Sequence, residues 1–125
     1  MATVPVPVIW EAYRRRIEDL RDYGEDDGIH VNKDSERDFW SFVHSAPLSE
    51  KAALFLMDNG NLRAVWKGGD SSHIGLQFLG CQKAEYVIFK RQKGSEGLSR
   101  VAGVDTLIGV RQRIRDFNLT SLVSL

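Results

Sequence analysis

The sequence predicts an α+β fold with two N-terminal helices, a four- to five-stranded antiparallel meander sheet and a C-terminal helix. Three observations predict it. Apolar residues recur at helical spacing towards both ends of the chain, and residues 53–91 alternate between apolar segments and turn residues. An Asn59-Gly60 pair also separates two of these apolar segments, which is a strong hairpin signal. At 125 residues the chain is predicted to form a single domain, 1–125, with its own hydrophobic core.

The first part of the chain is predicted to be helical after a short arm. Residues 1–8 are predicted to be extended, because Pro5 and Pro7 suit neither a helix interior nor a central strand. Residues 9–46 hold two predicted helices. The apolar stripe of the first comprises Trp10, Tyr13, Ile17, Leu20 and Tyr23. The second is predicted to begin at Ser35 as N-cap, with Asp38 near N3, and to end before Pro47.

Four strands are predicted between residues 53 and 91, with a fifth at 98–104, so the sheet spans 53–103. A two-residue type I′ turn at Asn59-Gly60 pairs Met57 with Leu62. The next hairpin is predicted to turn over residues 68–71, which pairs Trp66 with His73. The third turns over residues 80–83, with Cys81 in the turn, and pairs Gln77 with Tyr86 and His73 with Lys90. A last helix over 105–118 follows, capped by Asp105 or Thr106, with the core-facing stripe Leu107, Val110, Ile114 and Phe117.

This register divides the sheet into two faces, because side chains alternate along each strand. The predicted core face holds Leu54, Leu56, Val65, Ile74, Leu76, Phe78, Val87 and Phe89, with Arg63 and Lys67 at its margin. The second face mixes apolar, aromatic and polar groups. The candidate binding surface on it comprises two rows, Trp66, His73 and Lys90 in one and Gln77 and Tyr86 in the other. Three interpretations of this face stay open. The C-terminal helix covers its apolar half, a protein partner docks there, or the face serves nucleic-acid binding or catalysis.

Charge is distributed unevenly although the net charge is zero. Residues 1–50 contain 6 Lys/Arg and 11 Asp/Glu, a balance of −5, and residues 51–125 contain 11 and 6, a balance of +5. Either the two halves complement each other within one fold, or a basic sheet faces an anionic partner while the acidic helices point elsewhere.

No pattern for catalysis, a metal or a cofactor is present in the sequence. There is no Gly-rich phosphate loop and no Gly-x-Ser-x-Gly elbow, and His30, His44 and His73 lack metal-ligand spacing. The acidic loop at 22–27 lacks the order of a calcium loop. The sequence therefore predicts no metal and no cofactor. It leaves enzymatic activity undecided, favouring its absence.

The composition favours a cytoplasmic protein that does not enter a membrane. No apolar run approaches the roughly 18 residues that a membrane span needs, and the N-terminal residues lack the basic and apolar regions of a signal peptide. The single cysteine, Cys81, excludes an internal disulfide and fits a reducing compartment.

Three segments carry a resemblance to small uncharacterised bacterial α+β proteins, namely residues 58–66, 74–80 and 86–89. These proteins also place two helices before an antiparallel meander, and the resemblance implies no known activity or site residues. The predicted topology is also similar to that of the bacterial mRNA-cleaving toxins of toxin–antitoxin pairs, which use Arg, Lys, Tyr or His on the sheet.

The function expected from these patterns is a non-enzymatic cytoplasmic protein-interaction module, for example an antitoxin or an accessory protein of a small bacterial operon. It is expected to have a protein partner, either another chain or a second copy. The alternative is an RNA-binding protein or an mRNA-cleaving toxin-like ribonuclease that uses His73, Lys90, Arg63 and Tyr86.

Overall fold

The computed structural model describes residues 6–44, 52–68, 71–91 and 97–119. It confirms the predicted α+β fold, with two N-terminal helices, one C-terminal helix and a five-stranded antiparallel sheet in the order β1-β2-β3-β4-β5. The elements are α1 Val6–Asp26, α2 Lys33–His44, β1 Ala53–Leu56, β2 Leu62–Lys67, β3 His73–Gly80, β4 Lys83–Arg91, β5 Leu98–Thr106 and α3 Leu107–Asp116.

Helix α1 extends beyond both ends of the helix predicted over residues 9–23. It begins at Val6, so the predicted extended arm is wrong for residues 6–8, and residues 1–5 lie outside the described residues. Pro7 is compatible with this start, because the first turn of a helix requires no N–H donor. The predicted stripe is buried at Tyr13, Ile17 and Leu20, but Tyr23 is 69% exposed and does not belong to it.

The start of α2 also differs from the prediction. The helix begins at Lys33, and the Asn32 side-chain oxygen accepts a hydrogen bond from the Asp34 N–H at 3.0 Å. Ser35 therefore lies inside the helix and is not its N-cap. It is fully buried, where its Oγ donates to the Phe78 carbonyl oxygen and accepts from the Leu62 N–H at 2.9 Å. Ser35 thus joins α2 to β2 and β3.

The cap of α3 is one of the two residues predicted for it. The Thr106 side chain accepts a hydrogen bond from the Gly109 N–H at 3.0 Å, and Leu107, Val110 and Ile114 are buried as the stripe predicts. Arg111 packs over the Phe42 ring, with its Cζ 4.2 Å from the ring centroid, and burial lowers the pKa of its guanidinium. Arg111 therefore ties α3 to α2.

The predicted register is wrong by one residue in the first hairpin. Leu56 pairs with Leu62, and the connection is a type I turn followed by a glycine, not a type I′ turn. The Gly60 N–H donates to the Met57 carbonyl at 2.9 Å, and the Met57 N–H donates to the Asn61 carbonyl at 2.8 Å. Gly60 has φ +85°, whereas Asn59 stays at negative φ, so the loop contains one more residue than a two-residue turn allows.

The next two hairpins are displaced from the predicted register in the same way. Lys67, not Trp66, pairs with His73, and the Gly68 N–H donates to the Ser72 carbonyl at 2.8 Å. The third hairpin has the expected turn, with Cys81 and Gln82 at φ 55° and 60°, and Gly80 pairs with Lys83 as predicted. A β-bulge at Leu79 then shifts the pairing, so that Phe78 lies opposite Ala84.

These shifts reverse the predicted faces of β2 and β4, while those of β1 and β3 are as predicted. The helix-covered side of the sheet is the core face, and its buried residues are Leu54, Leu62, Ala64, Trp66, Ile74, Leu76, Phe78, Ala84, Tyr86 and Ile88. Helices α1 and α2 pack over β1 to β3, and α3 packs over β4 and β5. No described helix packs on the opposite side of the sheet, and none is long and apolar enough to cross a membrane.

Candidate binding face of the sheet

The uncovered side of the sheet, called here the open face, is the candidate functional site. Its described residues are Ala53, Phe55, Arg63, Val65, Lys67, His73, Gly75, Gln77, Lys83, Glu85, Val87, Phe89, Arg91, Arg100, Ala102, Val104 and Thr106. All except Gly75 are exposed or half-buried. A sheet face of this extent that no described helix covers is a natural place for a partner or ligand to bind.

The strand pairing arranges the centre of this face in three rows. The first row is Phe55, Arg63, Gln77, Glu85 and Val104. The second, or middle row, is Ala53, Val65, Gly75, Val87 and Ala102, and the third, the cation–aromatic row, is Lys67, His73, Phe89 and Arg100. The middle row is entirely apolar, and both flanking rows carry charged side chains.

The cation–aromatic row is ordered by ring contacts. The rings of His73 and Phe89 stack with centroids 4.3 Å apart and an interplanar angle of 24°. The Arg100 guanidinium lies over the Phe89 ring with its Cζ 5.8 Å from the centroid. Because His73 and Arg100 stand on the strands to either side of Phe89, they occupy both faces of its ring. The phenyl ring therefore organises two basic side chains and offers no free face for stacking.

Three residues of the middle row, Gly75, Val87 and Ala102, form the floor of an open cleft, and Gly75 leaves room there because it has no side chain. A Cβ atom at Gly75 would lie 3.0 Å from a terminal nitrogen of Arg63 and 3.1 Å from a Val87 methyl group. Arg63 therefore extends across the glycine. The cleft has a volume of about 580 Å³, and Phe89 and Arg100 also line it.

A second depression lies on the other side of Arg63. It has a volume of about 400 Å³ and is lined by Phe55, Met57, Arg63, Val65 and Lys67. The Arg63 side chain is thus the wall between two hollows, each of which combines apolar surface with a cation.

The centre of the first row is fixed by amide side chains. The Gln77 Oε1 accepts hydrogen bonds from the Nδ2 atoms of Asn59 at 3.0 Å and Asn61 at 3.1 Å. The Asn61 Oδ1 in turn accepts from the Asn32 Nδ2 at 3.0 Å, which links the first hairpin to the start of α2. Gln77 therefore anchors the turn through its oxygen, and its amide nitrogen is the group left to face a ligand.

The open face is basic. Its described residues include five cations, Arg63, Lys67, Lys83, Arg91 and Arg100, and one carboxylate, Glu85. Helix α1, on the other side of the molecule, carries six acidic residues and four arginines. On that helix Arg14 pairs with Glu11 at 2.5 Å and with Glu18 at 2.6 Å, and Arg15 pairs with Glu11 at 3.3 Å, so these two arginines are engaged on their own helix. The charge difference between the two halves of the sequence thus corresponds only in part to the two sides of the fold, because Arg111, Arg113 and Arg115 lie on α3, on the helix side.

The structure brings together only part of the predicted binding surface. His73 and Gln77 lie on the open face, but Trp66, Tyr86 and Lys90 lie on the core face, so grouping all five was wrong. Trp66 is 1% exposed and packs 5.9 Å from the Phe42 ring, and Tyr86 is 5% exposed beneath Arg113. The Lys90 ammonium donates to the Phe117 carbonyl at the end of α3.

The alternative ribonuclease site is divided in the same way. Arg63 and His73 lie on the open face, and Tyr86 and Lys90 lie on the other side of the sheet. The register error also hid Val87, Phe89 and Arg100, which line the larger cleft. Glu85 could have identified Val87 and Phe89, because a charged residue that faces solvent in β4 places both of them on the same side of the sheet.

The described part of the chain contains no group of three or more His, Cys, Asp or Glu residues placed to hold a metal ion. The pKa of Tyr13 is raised by burial, and the pKa of Glu11 is lowered by its hydrogen bond to Arg14. Both groups lie on α1, away from the open face.

Comparison of the chain with protein-family models, curated proteins and solved structures finds no match. The geometry of the open face is therefore the basis for assigning a function.

Proposed function

We propose that the chain is a non-enzymatic protein-interaction module that binds an acidic surface of another protein on its open face. The observation that carries the proposal is a complete sheet face with an apolar middle row, flanked by basic residues and left uncovered by all three helices. This arrangement matches the general anatomy of a protein interface, in which an apolar centre is surrounded by a polar rim.

The apolar part of the face can supply binding free energy. Phe55 is 45% exposed and Val104 is 57% exposed, at opposite ends of the first row. Val65 and Val87 lie in the neighbouring middle row, on strands between those of Phe55 and Val104, and both are half-buried. Burying such side chains contributes about 25 cal/mol per Å² of apolar surface. Phe55, Val104, Val65 and Val87 are therefore the expected anchors of the interface.

The charged part of the face selects the partner. Five cations against one carboxylate favour a partner whose contacting surface carries Asp and Glu, and they would accelerate its association. Arg63 and Arg100 are the expected centre of this recognition, because both line the larger cleft beside apolar surface. An arginine can bind a carboxylate through two parallel hydrogen bonds, which adds orientation to attraction.

Within this proposal the protein acts in the cytoplasm, as an antitoxin or accessory protein of a small bacterial operon. Cys81 is exposed and free in the turn between β3 and β4, which suits a reducing compartment. The proposal assigns no reaction to the open face.

Binding of RNA is the second candidate, and the same five cations favour it, since phosphates attract such a face. Two observations weigh against it. Phe89, the aromatic ring of the larger cleft, has both faces occupied, whereas single-strand binding uses free ring faces as stacking platforms. The residues predicted for a ribonuclease also lie on two sides of the sheet.

Site-specific photocrosslinking tests the leading proposal. A photoreactive phenylalanine analogue placed at Val87 on the open face is compared in cells with the same analogue at Asp19 on α1. We expect a discrete crosslinked protein from position 87 and none from position 19. Adding R63E and R100E to the position-87 variant should abolish the product, whereas adding R15E on α1 should leave it intact. Equal crosslinking from both positions would contradict the assignment of the open face.

Salt and nuclease treatment separate the two candidates. A protein crosslink that resists ribonuclease, together with no retention of single-stranded RNA at low salt, supports the protein interface. Retention of RNA that falls steeply with salt and is lost in R63E and R100E would favour the second candidate instead.

A further inference from the structure

The outer edge of β5 carries backbone groups without partners, and their positions follow from the ladder with β4. The Leu107 N–H donates to the Gln82 carbonyl at 2.9 Å, immediately beyond the Lys83–Thr106 pair. Because hydrogen-bonded pairs alternate along an antiparallel ladder, the odd-numbered residues of β5 point their N–H and C=O groups at β4. The even-numbered residues therefore point theirs outwards.

Three consecutive outward-facing residues are unpaired among the described residues: Arg100, Ala102 and Val104. The next one, Thr106, has its N–H satisfied by the Asp105 carboxylate at 2.7 Å. Arg100, Ala102 and Val104 thus present three N–H and three C=O groups along one side of a strand that terminates the sheet. A row of this kind is a template for another strand.

The opposite edge of the sheet is protected, which sets β5 apart. β1 has four residues, and the Leu54 carbonyl accepts hydrogen bonds from the Arg16 guanidinium of α1 at 3.0 and 3.2 Å. β5 has nine residues and contains no proline or lysine, the residues that commonly blunt an edge. Its open-face side chains between Arg100 and Thr106 are Ala102 and Val104, which leave the backbone accessible.

We propose that β5 pairs with β5 of a second copy of the chain, antiparallel and centred on Ala102, to form a symmetric dimer with a continuous ten-stranded sheet. In this register Ala102 faces its counterpart, and Arg100 faces Val104 of the second copy. The three pairs exchange two hydrogen bonds each, so the outward N–H and C=O groups of Arg100, Ala102 and Val104 are satisfied in both copies. A shift to another register leaves some of them unpaired or places the two Arg100 side chains closer together.

Charge complementarity supports this partner and this register. Glu85 lies next to Val104 in the first row, and the described structure gives its carboxylate no ion pair. Pairing across the dimer places Arg100 of the second copy on the far side of the same Val104. Adjacent strands are about 4.8 Å apart, so Glu85 and that Arg100 stand about 10 Å apart at Cα. To reach the carboxylate, the Arg100 side chain turns from the Phe89 ring of its own copy towards β5 of the other copy. The two-fold axis creates this pair twice.

The dimer keeps both open faces on the same side, because an axis perpendicular to the sheet preserves its sides. The proposed protein-binding surface would thus become continuous across the two copies. The proposed dimer depends on the backbone edge of β5 and on Glu85. It is independent of whether the open face binds another protein.

Oligomeric mass and an edge variant test the proposal. We expect the full chain to sediment as a dimer at concentrations between micromolar and near-millimolar. A102P removes the central outward N–H, which an edge strand tolerates without loss of its own ladder, and should raise the dimer dissociation constant at least about tenfold. A102T keeps the N–H and is the matched control, so it should remain dimeric. A monomeric wild-type chain, or a dimer unchanged in A102P, would overturn the proposal.

Charge reversal supplies a second test that leaves the backbone intact. E85R and R100E each turn two attractions into two repulsions, and each should weaken the dimer by roughly tenfold. An equimolar mixture of the two variants should recover a heterodimer, because every contact in it joins opposite charges. Failure of the mixture to associate more tightly than either variant alone would refute the Glu85–Arg100 contact and with it the register.

Discussion

Replacing Ser35 with alanine is expected to destabilise the fold far more than a helical serine normally would. The Ser35 hydroxyl bonds to the Phe78 carbonyl and to the Leu62 N–H, and both of these residues are 0% exposed. S35A leaves two buried backbone groups without that partner. Since a buried unsatisfied group costs about 1–3 kcal/mol, the expected loss in the free energy of unfolding is about 2–4 kcal/mol. That is a large share of the roughly 5–15 kcal/mol of a typical domain.

Urea unfolding followed by circular dichroism measures this loss. With a slope of about 2 kcal/mol per molar, the middle of the range typical of small proteins, the midpoint should fall by roughly 1–2 M. S41A is the matched control, because Ser41 is exposed on the same helix, and it should change stability by less than about 0.5 kcal/mol. The variant S35G tests whether Ser35 acts inside the helix or as an N-cap. Glycine at an N-cap costs only a few tenths of a kcal/mol, whereas inside α2 it should cost more than alanine. Equal midpoints for S35A and S41A would refute the reasoning.

Two further stability measurements follow from the structure, each with its own control. G60A should cost about 3 kcal/mol or more, because φ is +85° and its Cβ would lie 2.3 Å from the His30 carbonyl oxygen. G28A, at φ +72° with open space around it, should cost only about 1–2 kcal/mol, and equal costs would contradict the steric argument. Burial raises the pKa of Tyr13, so above pH 10 the unfolded chain loses this proton first and stability falls as pH rises. Y13F should remove that alkaline loss in unfolding measured against pH, whereas Y23F, at an exposed position, should retain it.

Local patterns predicted the elements of this fold well because each depends on a few neighbouring residues. The stripe from Leu107 to Ile114 and the Thr106 cap lie within one helix, and the structure has both. The turn at Cys81 and Gln82 was also predicted, at the right position. The start of α2 was not, since Ser35 resembles an N-cap in sequence, and only its tertiary contacts with β2 and β3 explain why it is buried inside the helix.

The candidate site was harder to predict because the face on which a side chain lies depends on strand register. An error in the length of one turn changes the predicted face of the strand that follows it. The Asn59-Gly60 pair suggests a two-residue turn, yet only Gly60 adopts positive φ, and the loop takes one residue more. That single residue moves Trp66 from the predicted binding surface into the core. The bulge at Leu79 does the same to Tyr86 and Lys90.

The bulge can be understood from the charges of the strands that it joins. A two-residue turn at Cys81 and Gln82 without a bulge would pair Phe78 with Glu85 and place both on one side of the sheet. Phe78 is fully buried against α2, so the carboxylate would have to enter the core. One extra residue at Leu79 turns Glu85 outwards and brings Ala84 inwards. In the first hairpin, the pairing expected for a two-residue turn would likewise have placed Arg63 on the core side, and the longer loop turns it outwards. The two charged side chains that decide the register are thus the ones that stand either side of Gln77 on the open face, where a binding partner would find them.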